Sequence, residues 1–199
     1  MESKLYSIGH GHKSIETFLE ELLSFGICFL VDVRSSPYSK WAPQFNMDVL
    51  SSFLNNCKIR YVYWGDTMGG RPQSSAYYDD KGFFDYEKMS KAEDFNIGIS
   101  RLVNANENGF PVAVMCSEAD PSQCHRSKLI GRELYVRNGI DMKHIIAPNK
   151  FILESEIIRT LTKGSWTPEP NLFGFTPPPY FKSRKSYYEQ TAELSEYYD

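Results

Sequence analysis

Two cysteines, a carboxylate, an imidazole and a guanidinium lie within one short stretch of this chain. The apolar run Val112–Cys116 leads into an acidic turn with Glu118, and Cys124-His125-Arg126 follows directly. A thiol beside a helix N-terminus or an arginine can ionise and act as a nucleophile. A carboxylate can serve as a general base, and arginine holds anions. The stretch therefore predicts a chemically active site where a strand ends.

A helix is predicted directly after the acidic turn. Asp120 is a good N-cap and a proline follows it at the first helical position, so the helix should cover about Pro121–Arg137 and stop at Gly139. On its inner face Cys124 is interpreted as a packing residue rather than a reactive one, because a free cysteine often behaves as a small hydrophobe. The backbone amides of residues 121–124 are expected to bind an anion at the helix N-terminus.

Apolar runs that alternate with amphipathic segments predict the remaining elements. Strands are predicted at Leu5–Ile8, Ile27–Val33, Lys58–Tyr63, Pro111–Met115 and Lys143–Ile146, and helices at Ser14–Phe25, Met47–Asn56, Asp85–Asn108 and Lys150–Leu161, with an irregular region over 64–84. Strands and helices alternate with the spacing of βαβ units. The predicted fold class is therefore α/β, a three-layer sandwich with a mainly parallel, Rossmann-like sheet.

The C-terminal part of the chain differs in composition from the rest. Residues 1–163 are interpreted as the α/β domain and residues 164–199 as an irregular extension rich in aromatic residues and proline. Disordered tails are poor in aromatic residues, so we expect residues 165–181 to lie ordered against the domain or a second subunit, which leaves a homo-oligomer open. The large rings that would anchor this strap are Trp166, Phe173, Phe175, Tyr180 and Phe181.

Length and composition limit the class of protein. The 199 residues suit one domain, and the net charge of −3 gives no global basic footprint for nucleic acid, although a local patch stays open. Four cysteines are too few for a disulfide scaffold. The chain has no secretory leader pattern and no apolar run that approaches a membrane span. We expect a cytoplasmic protein without a membrane partner.

Three other loops are predicted to open at the same edge of the sheet as Cys116, because parallel strands share one direction. The first strand leads into Gly9–His12, the second ends at Asp32–Arg34, and the third precedes Gly69–Arg71. Convergence on one edge is stronger evidence for a site than any one loop. We therefore predict one cleft, with candidate catalytic residues Cys116, Glu118, Asp32 and His10 and candidate ligand-binding residues Arg34, Ser39, Arg71, His125 and Arg126.

Several of these motifs stand in the order in which a known family has them. They are Ser7-Ile-Gly-His10, Asp32-Val-Arg34 with Pro37 and Ser39, Pro43-Gln-Phe45, Gly69-Gly70-Arg71, and Cys116-Ser-Glu118-Ala-Asp-Pro121 with Cys124-His125-Arg126. Over roughly residues 3–147 the chain resembles the domain of unknown function 488 family. The resemblance implies a compact α/β domain of the bacterial and archaeal cytosol and brings no activity. Gly11 departs from the expected hydroxyl residue, and Tyr38 replaces a frequent basic residue that could contact phosphate.

Three functions fit these residues. The leading hypothesis is an enzyme or ligand-binding domain for an anionic ligand of nucleotide or nucleic-acid type, with carboxylates that take ribose or base donors and arginines that take phosphate. The alternative is a thiolate enzyme that uses Cys116. A further alternative is a zinc site drawn from His10, His12, Cys116, Cys124 and His125, which the lack of a C-x-x-C or H-x-x-x-H pair disfavours. If these charged residues have no function, they are interpreted as a buried ion-pair network that supports the loops. The sequence identifies no cofactor and no reaction.

Overall fold

A central six-stranded sheet organises the fold. The structure is a computed structural model that describes residues 3–167 and 175–186. The strand order is β3-β2-β5-β1-β6-β7, and β7 alone of these runs antiparallel. The strands are β1 (Leu5–Gly9), β2 (Phe29–Asp32), β3 (Arg60–Tyr63), β5 (Val112–Cys116), β6 (Lys143–Ala147) and β7 (Lys150–Leu153). A two-stranded antiparallel pair, β4 (Phe83–Asp85) and β8 (Lys182–Ser186), stands apart from this sheet.

Helices cover both faces of the sheet, as predicted. Alternate residues of β5 point to opposite sides, with Val112 and Val114 in one apolar core and Ala113 and Met115 in the other. The helices are α1 (Ile15–Ser24), α2 (Met47–Asn56), α3 (Gly65–Met68), α4 (Tyr86–Ser90), α5 (Glu93–Glu107), α6 (Arg132–Asn138) and α7 (Glu154–Leu161). The second core also contains residues of α1 and α2, and the first contains residues of α5 and α6. The three-layer α/β sandwich is thereby confirmed.

The predicted closing helix is wrong in its first turn. Lys150–Leu153 is the edge strand β7, which pairs antiparallel with β6, and the helix begins only at Glu154. Asn149 turns the chain between the two strands with a positive φ of 57°, a conformation that asparagine tolerates better than most residues. The periodicity of a short apolar run does not show whether it forms a strand or a helix. Here the run forms a strand because it pairs with β6.

The predicted helix over Pro121–Arg137 is interrupted. Asp120 does cap a turn, since its side chain accepts from the amide of Ser122 at 2.8 Å, but this turn is a short 3-10 helix. Cys124 is extended, with φ −116° and ψ 150°. A π-helix then covers Arg126–Gly131 and leads into α6. The Cys124 sulfur accepts the amide N–H of Arg126 at 3.4 Å, and such a side-chain bond competes with continuous helix.

The described part of the C-terminal extension lies on the α/β domain. Trp166 is buried, packs edge-on against Tyr135, and donates its indole N–H to the carbonyl of Thr176 at 2.8 Å. The buried guanidinium of Arg132 lies 3.5 Å from the ring centroid of Tyr180. Phe173 lies outside the described residues. Among the helices of residues 3–167 and 175–186, none is long and apolar enough to cross a membrane.

Candidate functional site

A cleft of about 280 Å³ opens where β2 and β5 end at their carboxyl edge. Its walls come from six parts of the chain. They are Arg34–Ser36 after β2, Gly70 and Arg71 from the glycine-rich loop, Cys116–Glu118 after β5, Gln123–His125, and Tyr86 with Ser183 from the neighbourhood of the small β4–β8 pair. This is the edge at which ligands bind in open α/β sheets.

Cys116 ends β5 inside this cleft and is held as a thiol. The backbone around it is fixed because the amide of His10 donates to the Cys116 carbonyl at 3.1 Å. Its sulfur donates to Oε2 of Glu118 at 2.8 Å. A hydrogen bond with Cys124, together with burial, raises the pKa of the Cys116 thiol well above its ordinary value. This geometry disfavours Cys116 as a free nucleophile.

Cys124 is buried, as predicted, but its sulfur lines the cleft and belongs to neither apolar core. Its sulfur lies 3.3 Å from Oε2 of Glu118 and accepts the Nε–H of Arg126, also at 3.3 Å. Burial opposes ionisation of this thiol, yet the hydrogen bond with Cys116 and the charge of Arg126 bring its pKa well below the ordinary value. The backbone at Cys124 is extended rather than helical, and its sulfur therefore points into the cleft.

Arg126 is fully buried beneath the cleft and links three segments. Its Nη1 donates to Oγ of Ser7 at 2.9 Å, and its Nη2 donates to the carbonyl of Glu118 at 2.6 Å. The close approach depends on Gly9, where a Cβ would lie 1.9 Å from the Glu118 carbonyl oxygen. Within the described residues no carboxylate forms an ion pair with Arg126. A buried charge needs compensation, and the Cys124 sulfur contributes to it by accepting the Nε–H of Arg126.

His125 faces both sulfurs. Its Nδ1 lies 3.6 Å from the Cys124 sulfur and 3.9 Å from that of Cys116. The ring packs against Gly70, where a Cβ would come within 2.7 Å of Nδ1. Burial would lower the pKa of His125, but the charge of Cys124 outweighs it and the pKa is raised. Its Nε2 is buried and has no hydrogen-bond partner in the part of the chain that the structure describes.

Arg34 and Arg71 form the cationic wall of the cleft. Arg34 is held by Asp32, whose carboxylate accepts from its Nε at 2.9 Å and from its Nη2 at 2.6 Å. Tyr61 donates a further hydrogen bond to Asp32 at 2.6 Å. The amide of Arg71 donates to Oγ of Ser35 at 2.8 Å. The guanidinium of Arg71 and Nη1 of Arg34 make no hydrogen bond among the described residues, so both have donors available for a ligand.

The structure brings some predicted site residues together and separates others. Five line the cleft, namely Arg34, Arg71, Cys116, Glu118 and His125, while Asp32 and Arg126 support it from below. His10 does not line it: its ring stacks on Phe45 at 4.4 Å, and burial followed by the charge of Arg34 lowers its pKa to about 4. Ser39 also stays outside and accepts the amide N–H of Trp41 at 3.2 Å.

The amides expected to bind an anion are already used. Those of Ser122, Gln123 and Cys124 donate to Asp120 or to the carbonyl of Pro121, so the expected anion site at residues 121–124 is wrong. Sequence reasoning named Cys124 only as one of several candidate zinc donors, and it missed Tyr86 and Ser183 as parts of the cleft. For Cys124 the signal was the Cys-His-Arg triplet itself, and for Ser183 no local pattern exists.

A second buried network lies behind Arg126. Ser7 Oγ lies 2.6 Å from Nδ1 of His144, and Nε2 of His144 lies 2.6 Å from Oε2 of Glu154. Burial, and then the charge of Arg126, lowers the pKa of His144 to about 3, while burial raises the pKa of Glu154 well above its ordinary value. Both directions describe a neutral pair in which the Glu154 O–H donates to His144. The sequence analysis did not identify this network.

A family model matches residues 14–132, more than half of the chain, under the description "Domain of unknown function DUF488". The chain belongs to this family. The predicted resemblance is thereby confirmed, and all residues of the cleft except Ser183 lie within the matched range. His10 precedes that range and His144 follows it. No curated protein and no solved structure matches the chain.

Proposed function

We propose that this DUF488 protein binds a small anionic ligand of the nucleotide type in the cleft. The observation that carries this proposal is the wall formed by Arg34 and Arg71, which have guanidinium donors without partners among the described residues. Arginine presents a planar fork of donors that matches phosphate and carboxylate oxygens. Asp32 holds Arg34 in place before the ligand arrives, which reduces the entropy that binding must overcome.

The size of the cleft suits the charged end of such a ligand. A volume of about 280 Å³ lies near the lower limit of the roughly 300–1,000 Å³ typical of small-molecule sites. The remainder of a nucleotide would extend past the loop after β2, where Trp41 is 77% exposed and Tyr38 is 55% exposed. Exposed rings of this kind can stack on a base. Trp64, by contrast, packs against the core beneath Arg101.

The reactive groups of the cleft would lie near the bound anion. Cys116, Glu118 and His125 line the same cleft as the two arginines, so an enzyme would act on the ligand with these groups. Cys116 itself is a poor choice of nucleophile because its proton is held by Glu118. The supporting role of Arg126 is to position Glu118 through its backbone carbonyl.

Substitution of Arg71 tests the proposal. We expect a mononucleotide monophosphate to bind the wild-type chain, and R71A to weaken binding by roughly tenfold to a hundredfold, since a hydrogen bond to a charged group contributes about 1.5–3 kcal/mol. Isothermal titration calorimetry gives the Kd, and a thermal melt of the unliganded variant checks its fold. The change should cost little stability because the Arg71 side chain is exposed.

The matched control is R60A. Arg60 is also exposed, but it begins β3 at the amino edge of the sheet, away from the cleft. We expect R60A to bind as the wild type does. The proposal is wrong if phosphate and mononucleotides give neither heat nor a shift of the melting midpoint, or if R60A loses as much affinity as R71A. A short single-stranded oligonucleotide that binds more tightly than the mononucleotide would identify nucleic acid as the ligand.

A further inference from the structure

Three metal-binding side chains converge at the floor of the cleft, and the carboxylate of Glu118 lies beside two of them. The sulfurs of Cys116 and Cys124 and a ring nitrogen of His125 all lie within 4.8 Å of one another. All three side chains are buried. Oε2 of Glu118 is 2.8 Å from one sulfur and 3.3 Å from the other. Two thiols, an imidazole and a carboxylate are the donor types that zinc takes.

The two distances from the His125 nitrogen to the sulfurs are close to those around a tetrahedral ion. Bonds of about 2.3 Å to sulfur and about 2.0–2.1 Å to nitrogen place these two donors about 3.5 Å apart at a tetrahedral angle. Nδ1 of His125 lies 3.6 Å from the Cys124 sulfur and 3.9 Å from the Cys116 sulfur. We propose that Cys116, Cys124 and His125 bind a zinc ion, with the Glu118 carboxylate as its fourth ligand.

The fourth zinc ligand, Glu118, must move before it can bind the ion. Sulfur and carboxylate oxygen on one tetrahedral zinc lie about 3.6 Å apart, and Glu118 Oε2 meets this separation more closely at Cys124 than at Cys116. Glu118 lies outside the group of donors that are all within 4.8 Å of one another, so its side chain must also rotate toward His125, which would replace its hydrogen bond from Cys116 by a bond to the ion. Glu118 is exposed and lines the open cleft, so its side chain has room to rotate.

Arg126 supplies the surrounding support that a thiolate site requires. Its amide and its Nε both donate to the Cys124 sulfur, at 3.4 and 3.3 Å. Hydrogen bonds of this kind orient metal ligands and stabilise their anionic form. Two thiolates and a carboxylate exceed the charge of Zn²⁺ by one, and the buried guanidinium offsets that excess. The same arginine otherwise lacks a carboxylate partner within the described residues.

The site explains why linear spacing argued against a metal. Glu118 and Cys124 are separated by a turn, and Cys124 and His125 are adjacent, so neither a C-x-x-C nor an H-x-x-x-H pair arises. The extended backbone at Cys124 lets two consecutive side chains reach one point. His10 and His12 take no part, since His10 stacks on Phe45 and His12 is exposed. The inference goes beyond anion binding and holds whether or not Arg34 and Arg71 bind a ligand.

Elemental analysis of the full chain, purified without chelators and without a metal-affinity step, tests the site. We expect one zinc ion per chain in the wild type and loss of the metal in C124S and C116S. The matched controls are C28S and C57S, which replace the two cysteines outside the cleft, and both should keep the zinc. Circular dichroism and a thermal melt of each variant separate loss of metal from loss of fold.

Cobalt replacement gives a second readout that does not depend on purification history. Co²⁺ bound by two thiolates produces sulfur-to-metal charge-transfer absorption, which should appear in the wild-type and C28S chains and be lost, together with the ion, in a folded C124S chain. E118Q should retain the metal but raise the zinc Kd by roughly tenfold or more. The inference is overturned if chelator-treated wild-type protein fails to take up Zn²⁺, if another metal occupies the site instead, or if C28S loses the ion as C124S does.

Discussion

A chain that ends at Lys163 is expected to melt at least about 10 °C below the full chain, or to aggregate. Removing residues 164–199 takes away Trp166, and deletion of a buried tryptophan ring costs about 3–5 kcal/mol. For a domain of this size each kcal/mol shifts the midpoint by about 2–4 °C. The truncation also removes β8 from β4 and uncovers the guanidinium of Arg132, which donates to the carbonyls of Pro178 and Pro179 at 3.2 Å.

Calorimetric melts and size-exclusion chromatography measure this effect. The control chain ends at Ser186 and keeps every contact described here for the extension, so its midpoint should match that of the full chain within a few degrees. W166A isolates the ring and should account for about half of the loss or more. A truncated chain that stays monomeric and melts with the full chain would show that the strap contributes nothing to stability.

The sheet could be predicted from local patterns because its central strands are buried on both faces. Val112–Cys116 is apolar throughout and all five residues are buried, so its sequence differs plainly from that of the amphipathic helix α5. The same reasoning failed at Lys150–Leu153, where the strand lies at the sheet edge and has exposed and half-buried residues. Such a strand is specified by its partner β6, which a local window does not contain.

The direction of the strands predicted the place of the site, but the composition of the cleft needed side-chain geometry. Arg34 and Cys116 meet there because β2 and β5 are parallel neighbours. His10 also follows a strand at this edge, yet its ring turns toward the second core and stacks on Phe45. Position at the end of a strand fixes a residue's neighbourhood and leaves open the face to which its side chain points.

The largest failure of sequence reasoning concerns Cys124. Capping chemistry at Asp120 correctly predicted a turn, and helical periodicity then placed Cys124 on a packing face. The chain leaves the helix because Arg126 must be buried, and its donors are satisfied by Ser7, Glu118 and the Cys124 sulfur. These partners are brought together by the fold, so the break could not be inferred from the residues around it.

Substitutions of Glu154 should separate a neutral buried pair from a buried ion pair. We expect E154A to lower the free energy of unfolding by about 3 kcal/mol, since it leaves the buried polar groups of His144 and Ser127 unsatisfied. E154Q should cost less than about 1 kcal/mol, because its amide can donate to Nε2 of His144 and its oxygen can accept from Ser127 as a protonated glutamate does. In the structure these contacts measure 2.6 and 3.0 Å.

Urea unfolding at several pH values extends this test. The pKa of Glu154 is raised in the folded chain above its ordinary 4.5, so its stabilising contribution is complete below pH 4.5 and is lost as pH rises through the folded value. E154Q has no such proton to lose, and its stability relative to the wild type should therefore improve with increasing pH. His144 acts in the opposite direction: its pKa falls from 6.5 to about 3, so both chains should lose stability as pH falls from 6.5 toward 3.

The control for this series is E156A, on the exposed side of the same helix α7, where the change should stay within about 0.5 kcal/mol. If E154Q destabilised the chain as much as E154A, the pair would be ionic, because glutamine would then leave a buried imidazolium without its counter-charge.

The neutral form of the His144–Glu154 pair has a consequence for the cleft. A neutral His144 adds no positive charge behind Arg126, whose guanidinium donates directly to Ser7, to the sulfur of Cys124 and to the carbonyl of Glu118.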